Sequence, residues 1–197
     1  MGEEKTKRGI KIGKRVVKPT DLIFYVFIVL LLIPSTRTVI MGGVSKVRTA
    51  IFAPALKVSE GPVLDANSWA WKLVDMNGSP VAFEQFKGEI IVVNSWATWC
   101  PPCRAEMPSL ENLYQDYGNR ISMILVTNEE PAVVKEFIDK KGYTFPVYIS
   151  GGGNPQAFSS KSIPATFIVN RDGQVVYQRT GAFDWNSKKV KKFIDKL

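Results

Sequence analysis

The only two cysteines of the chain stand in Trp99-Cys100-Pro101-Pro102-Cys103, at a junction between two kinds of apolar pattern. Ahead of them, Ile90-Ile91-Val92-Val93-Asn94-Ser95-Trp96 is a β-branched run that reads as a buried strand. Behind them, Met107, Leu110, Leu113, Tyr114 and Tyr117 recur at the spacing of one helix face over Arg104 to Tyr117. The cysteines therefore fall where a strand ends and a helix begins. The first turn of a helix offers unpaired backbone N–H groups and the positive end of its dipole, which favour a thiolate. Pro101 and Pro102 suit early helix positions, where a missing N–H costs nothing. On this reading Cys100 is the exposed, attacking sulfur, and Cys103, one turn on, is the resolving thiol.

The composition narrows the alternatives. Histidine is absent, which excludes Cys–His nucleophiles, imidazole bases and most metal sites. Two cysteines cannot build a four-sulfur zinc site. An inert disulfide is a poor use of the pair, because closing so short a loop restricts the unfolded chain only modestly. Paired thiols also bind Cu(I), but Met107 is the one nearby residue that could add a soft ligand. A copper-handling module stands as the rival reading. Glu106 lies three residues beyond Cys103 and shares its helix face. A partly buried carboxylate there has a raised pKa and can take a proton from the resolving thiol; its rival is a solvated helix glutamate.

About sixty residues after the cysteines comes Ile163-Pro164-Ala165-Thr166. Trp-Cys-Pro-Pro-Cys after a buried strand, followed by this second motif, resembles the thioredoxin superfamily. The string Asn94-Ser95-Trp96-Ala97-Thr98-Trp99-Cys100-Pro101-Pro102-Cys103-Arg104-Ala105-Glu106-Met107-Pro108 is similar to its membrane-anchored TlpA/ResA-like thiol-disulfide oxidoreductases. The resemblance covers roughly residues 63–197. It implies a thioredoxin-like three-layer α/β/α sandwich with a mixed central sheet. It implies a cis Ile163–Pro164 bond facing the cysteines, with neighbouring backbone free to pair with a substrate strand. Trp99, Pro101, Pro102, Ile163 and Pro164 are the substrate-binding candidates, with Cys100, Cys103 and Glu106 catalytic. No cofactor is implied beyond the Cys100–Cys103 disulfide, and no metal. Implied partners are proteins with disulfides and a membrane thiol-reducing protein. The Pro-Pro pair lacks the histidine of the strongly oxidising branch, so reduction is preferred, with oxidase or isomerase action as the alternative. Asn94 stands where cytoplasmic thioredoxins resemble one another in carrying a buried aspartate, leaving Glu106 as the substitute acid. The peroxide-binding Pro-x-x-x-Thr/Ser-x-x-Cys pattern is missing ahead of Cys100.

The net charge of +8 is unevenly distributed: residues 1–56 carry ten basic and three acidic side chains, residues 57–197 sixteen and fifteen. A near-neutral domain gives no nucleic-acid footprint. The basic excess flanks Leu22 to Ile33, twelve apolar residues spanning ~18 Å as a helix. Extension to Val44 reaches ~34 Å, enough for a ~30 Å hydrocarbon core, with Arg37 snorkelling at the far end. The expected organisation is a basic cytoplasmic tail over 1–21 and a single-pass signal anchor in the bilayer over 22–44. A juxtamembrane linker over 45–61 and a thioredoxin-like domain over 62–197 then face the extracytoplasmic or periplasmic side of a bacterial membrane. A cleaved signal peptide and a core helix are the rivals; no good small-x-small site follows Ile33.

Within the domain, Asn77-Gly78 predicts a hairpin between Trp71–Val74 and Val81–Phe83. Strands are expected at Ile121–Val126, Phe145–Ile149, Ala165–Val169 and Val175–Arg179. Helices are expected from Glu129 to Lys141 and from Ser187 to Leu197. Pro108 is expected to kink the helix after the cysteines, with Trp96 and Trp99 as apolar cover beside the thiols.

Overall fold

The computed structural model describes residues 60–197. The apolar runs become seven strands: β1 (Lys72–Asp75), β2 (Pro80–Ala82), β3 (Ile90–Ser95), β4 (Ile121–Thr127), β5 (Val147–Ser150), β6 (Ala165–Val169) and β7 (Val175–Thr180). They form one sheet in the order β2-β1-β5-β4-β3-β6-β7. The pairs β3–β4 and β4–β5 are parallel and the others antiparallel, so the sheet is mixed as expected. Four helices accompany it: α1 (Ala66–Trp69), α2 (Pro101–Tyr117), α3 (Pro131–Lys141) and α4 (Lys188–Ile194). Single 3-10 turns lie at Phe83–Phe86 and Gln156–Phe158.

Alternation along the strands sorts the core into two faces. Ile90 and Val92 of β3 join Met107, Leu110 and Leu113 of α2, Val134 of α3 and Val190, Phe193 and Ile194 of α4. Ile91 and Val93 face the other way, into a cluster with Trp71, Leu73, Phe83, Phe158 and Phe167. The two layers around the sheet are thus unequal. The two parallel crossovers, β3-α2-β4 and β4-α3-β5, step in the same direction and so place both helices on one face. The opposite face is closed by short pieces and a nest of rings, with Phe83 and Phe158 5.5 Å apart at their centroids.

The predicted hairpin is present, and Asp75 organises its turn by accepting from Asn77 N and Ser79 N, with Gly78 at φ 83°. Helix α2 continues through Pro108 to Tyr117. A proline inside a helix costs about 3 kcal/mol. Burial of Met107, Leu110 and Leu113 returns ~1.5–3 kcal/mol each, enough to keep the helix whole.

The chain enters the domain along the outer edge of β7. Gly61 N donates to Val175 O at 3.1 Å, Val175 N to Pro62 O at 3.0 Å and Leu64 N to Gly173 O at 2.8 Å. Only glycine allows the first approach, since a Cβ at residue 61 would lie 2.4 Å from Val175 O. The expected tail (1–21), anchor (22–44) and linker up to residue 59 lie outside the described residues. Among the described residues no helix is long and apolar enough to cross a membrane.

Candidate active site

Strand β3 delivers the chain to the edge of the core, and helix α2 starts directly from Cys100, its N-cap, with Pro101 and Pro102 in the first turn. Cys100 Sγ accepts from Cys103 N at 3.2 Å, the contact expected of a sulfur capping a helix. The two cysteines are joined in a disulfide. The Ile163–Pro164 peptide is cis, and Ile163 O lies 3.9 Å from Cys100 Sγ. The two motifs, far apart in sequence, are therefore neighbours in space.

Exposure departs from expectation at one sulfur. Cys100 is 3% exposed, because it is bonded to Cys103 and packed under the Ile163 loop. The exposed group is its neighbour Trp99, at 70%. Trp99 is not core packing, whereas Trp96 is buried with its ring 5.7 Å from that of Phe137. A groove of about 470 Å³ runs beside Trp99, lined by Ile163, Thr127, Asn154, Ser159 and Ser160.

The loop carrying Trp99 is fixed by a residue expected to open a helix. Glu129 accepts from Thr98 N through Oε2 and from Thr98 Oγ1 through Oε1, both at 2.6 Å. Helix α3 begins only at Pro131, so Glu129 serves the cysteine loop instead.

Glu106 is 2% exposed, which removes the solvated reading. Its Oε1 accepts from Asn94 Nδ2 at 2.8 Å. Its Oε2 accepts from Trp185 Nε1 at 3.0 Å and from Phe183 N at 3.1 Å. Burial pushes its pKa from the ordinary 4.5 up to about 7, against the opposing pull of these donors and of the Arg179 cation. The guanidinium of Arg179 stacks 4.2 Å from the Phe183 ring centroid. Ser109 Oγ ties the same loop to α2, donating to Phe183 O at 3.2 Å and accepting from Trp185 N at 3.1 Å. Phe183, Trp185, Ser109 and Arg179 escaped the sequence reading. Phe183-Asp184-Trp185 precedes the last helix without a periodic pattern, and nothing local marks it as a partner of Glu106.

The Redoxin family profile matches residues 53–194. The chain belongs to the Redoxin family. Within known proteins it is 35% identical over 112 residues to the thiol-disulfide oxidoreductase ResA of Halalkalibacterium halodurans, a stretch covering 55% of this chain and 64% of that protein. It is 33% identical over 135 residues to ResA of Bacillus subtilis, covering 67% of this chain and 73% of that protein. A solved thiol:disulfide interchange protein of the thioredoxin family from Chlorobium tepidum superposes with a TM-score of 0.56 at 24% identity. That superposition covers 70% of this chain and 97% of the other, and shows the thioredoxin-like fold. With its bonded Cys100–Cys103 pair, this Redoxin-family chain is a thiol-disulfide oxidoreductase.

Proposed function

We propose that the protein reduces disulfides in partner proteins outside the cytoplasm, held at the membrane by residues 22–44. The observation that carries this reading is the placement of Cys100 Sγ at the start of α2, accepting from Cys103 N, with the Ile163 carbonyl beside it. In the reduced protein the Cys100 thiolate attacks one sulfur of a partner disulfide. The partner's other sulfur leaves with the electron pair and takes up a proton. Glu106 accepts the proton of the Cys103 thiol. The Cys103 thiolate then attacks Cys100, restoring the Cys100–Cys103 bond and releasing the partner as a second thiol. Two electrons have moved from the dithiol to the partner. The partner chain docks as an added strand on the backbone at Ile163-Pro164, against Trp99, Pro101 and Pro102.

Direction follows from what stands between the cysteines. Neither Pro101 nor Pro102 carries a charge or a backbone N–H to stabilise the Cys100 thiolate. A less stabilised thiolate makes the dithiol the better electron donor. A membrane thiol-reducing protein then restores the dithiol in an oxidising compartment.

The test is to express the full chain as Cys103→Ser, so that mixed disulfides at Cys100 persist. Adducts that vanish with reductant and with a further Cys100→Ala change support the reading; adducts independent of Cys100 sink it. Direction is read by equilibrating the protein with glutathione. Reductase action requires Cys100–Cys103 to stay oxidised in mixtures that reduce a strong oxidant, and a persistent dithiol reverses the assignment.

A further inference from the structure

Among the three hydrogen-bond partners of Glu106, only one can change from donor to acceptor when the carboxylate takes up a proton. Its three hydrogen-bond partners are all donors: Asn94 Nδ2, Trp185 Nε1 and Phe183 N. An ionised carboxylate suits such a cage. A protonated one carries a hydrogen that needs an acceptor. The indole N–H and the backbone N–H are donors in every orientation. Arg179, reaching the site from β7, can only donate. Cys103 and Arg104 both stand within a helical turn of Glu106 on α2, and of the two only the thiol can pass a proton to a carboxylate near neutral pH.

Asn94 alone offers both characters. It is fully buried on β3, and its Nδ2 bridges Glu106 Oε1 and Thr166 Oγ1, each at 2.8 Å. Its Oδ1 is also buried and has no hydrogen-bond partner. Turning the amide by half a revolution brings that oxygen to Glu106, where it accepts from the carboxylic acid. The Thr166 hydroxyl, an acceptor in the first orientation, donates to it in the second. One end of the amide is left unpaired either way, so the orientations are closely balanced and the proton on Glu106 selects between them.

We propose that Asn94 is a positioning residue whose side-chain amide reverses when Glu106 gains or loses a proton. This rests on the proton role given to Glu106 above. When the Cys103 thiol passes its proton to the carboxylate, the amide turns to receive it. The Cys103 thiolate is then free to attack Cys100. Once the Cys103 thiolate has turned away to Cys100, a carboxylic acid without that turn of the amide would be left pressing its hydrogen against those of three donors.

The test is side-chain amide NMR of the labelled full chain in detergent micelles, oxidised so that the cysteines do not titrate. Asn94 is assigned by loss of its signals in Asn94→Ser. Between pH 5 and 9 the Asn94 amide is expected to shift with the same midpoint as the Glu106 carboxyl carbon. Its contacts with Thr166 should change in step. In Glu106→Gln, where the amide always donates toward Asn94, the signals should stay at their acid-limb positions at every pH. An Asn94 amide that stays fixed while Glu106 titrates overturns the proposal and leaves the disulfide chemistry standing. A Glu106 that does not titrate in this range overturns both the proposal and the proton role. A kinetic measurement gives an independent check. In Asn94→Asp two acids face each other, and the pH midpoint for collapse of a Cys100 mixed disulfide should rise by at least one unit, a tenfold change in proton affinity. An unmoved midpoint overturns the proposal, whereas Cys100-dependent trapping reports separately on the overall function.

Discussion

Trp185 Nε1 donates to Glu106 Oε2 at 3.0 Å, bridging 79 positions of sequence to reach the residue one turn beyond Cys103. The bond opposes the burial that raises the pKa of this carboxyl, and it ties the loop before α4 to the first turns of α2. Hydrogen bonds to a charged group contribute about 1.5–3 kcal/mol, so one donor here is worth one to two pH units.

Replacing Trp185 by phenylalanine keeps an aromatic ring against Phe183 and Tyr177 but removes that donor. The midpoint of Glu106 is expected to rise from about 7 by roughly one unit, read by carboxyl carbon NMR of the oxidised protein. A midpoint left in place would show that the indole bond carries no electrostatic weight.

Glu106 also links folding stability to pH. Its folded pKa, about 7, lies above the ordinary 4.5, so between these values the native state holds the extra proton. Its contribution is therefore full below about pH 4.5 and is lost as pH rises through 7, a loss on the order of 3 kcal/mol. Urea unfolding of the oxidised protein should show wild type losing ground to Glu106→Gln between pH 5 and 8. Parallel curves for the two proteins would contradict the assignment.

Glu129→Ala removes the acceptor of both Thr98 bonds and leaves a partly buried backbone N–H without its partner. A stability loss of about 2 kcal/mol is expected from urea unfolding. The emission of Trp99, carried by the same loop, should also become heterogeneous in lifetime. A variant as stable as wild type would mean that water replaces the carboxylate at no cost.

Trp99→Ala should separate binding from folding. The side chain is 70% exposed, so unfolding should change by less than about 0.5 kcal/mol. Disulfide exchange with a folded protein partner should nevertheless slow at least tenfold, while exchange with a small disulfide reagent changes little. Equal slowing for both would place the ring in the chemistry of Cys100 and not in docking.

Elements built from near neighbours were legible in the residues. The β3-cysteine-α2 junction, the hairpin around Asn77-Gly78 and the strand after Pro164 each follow from short-range pattern and turn chemistry. What escaped depends on distant partners. Glu129 looked like a helix opener because acids favour that place, yet its nearest donors come from Thr98, 31 positions away. Trp185 gave no sign, since no periodicity links a loop to a helix 79 positions away. Pro108 sits inside a helix that runs on to Tyr117, since local propensity does not register the burial of Met107, Leu110 and Leu113 that holds it. The inequality of the two layers depends on strand order, which the linear pattern leaves open.

The stitching of Gly61–Leu64 onto β7 lies at the pole of the sheet away from the sulfurs. Ser95 and Ala165 pair at one end of β3 and β6, whereas Val169 pairs with Val175 at the other, roughly 13 Å off at ~3.3 Å per residue. Whatever lies upstream thus joins the domain behind its working end. A pull on Gly61 would be borne first by the hydrogen bonds of an outer strand, with the length of the sheet between it and Cys100.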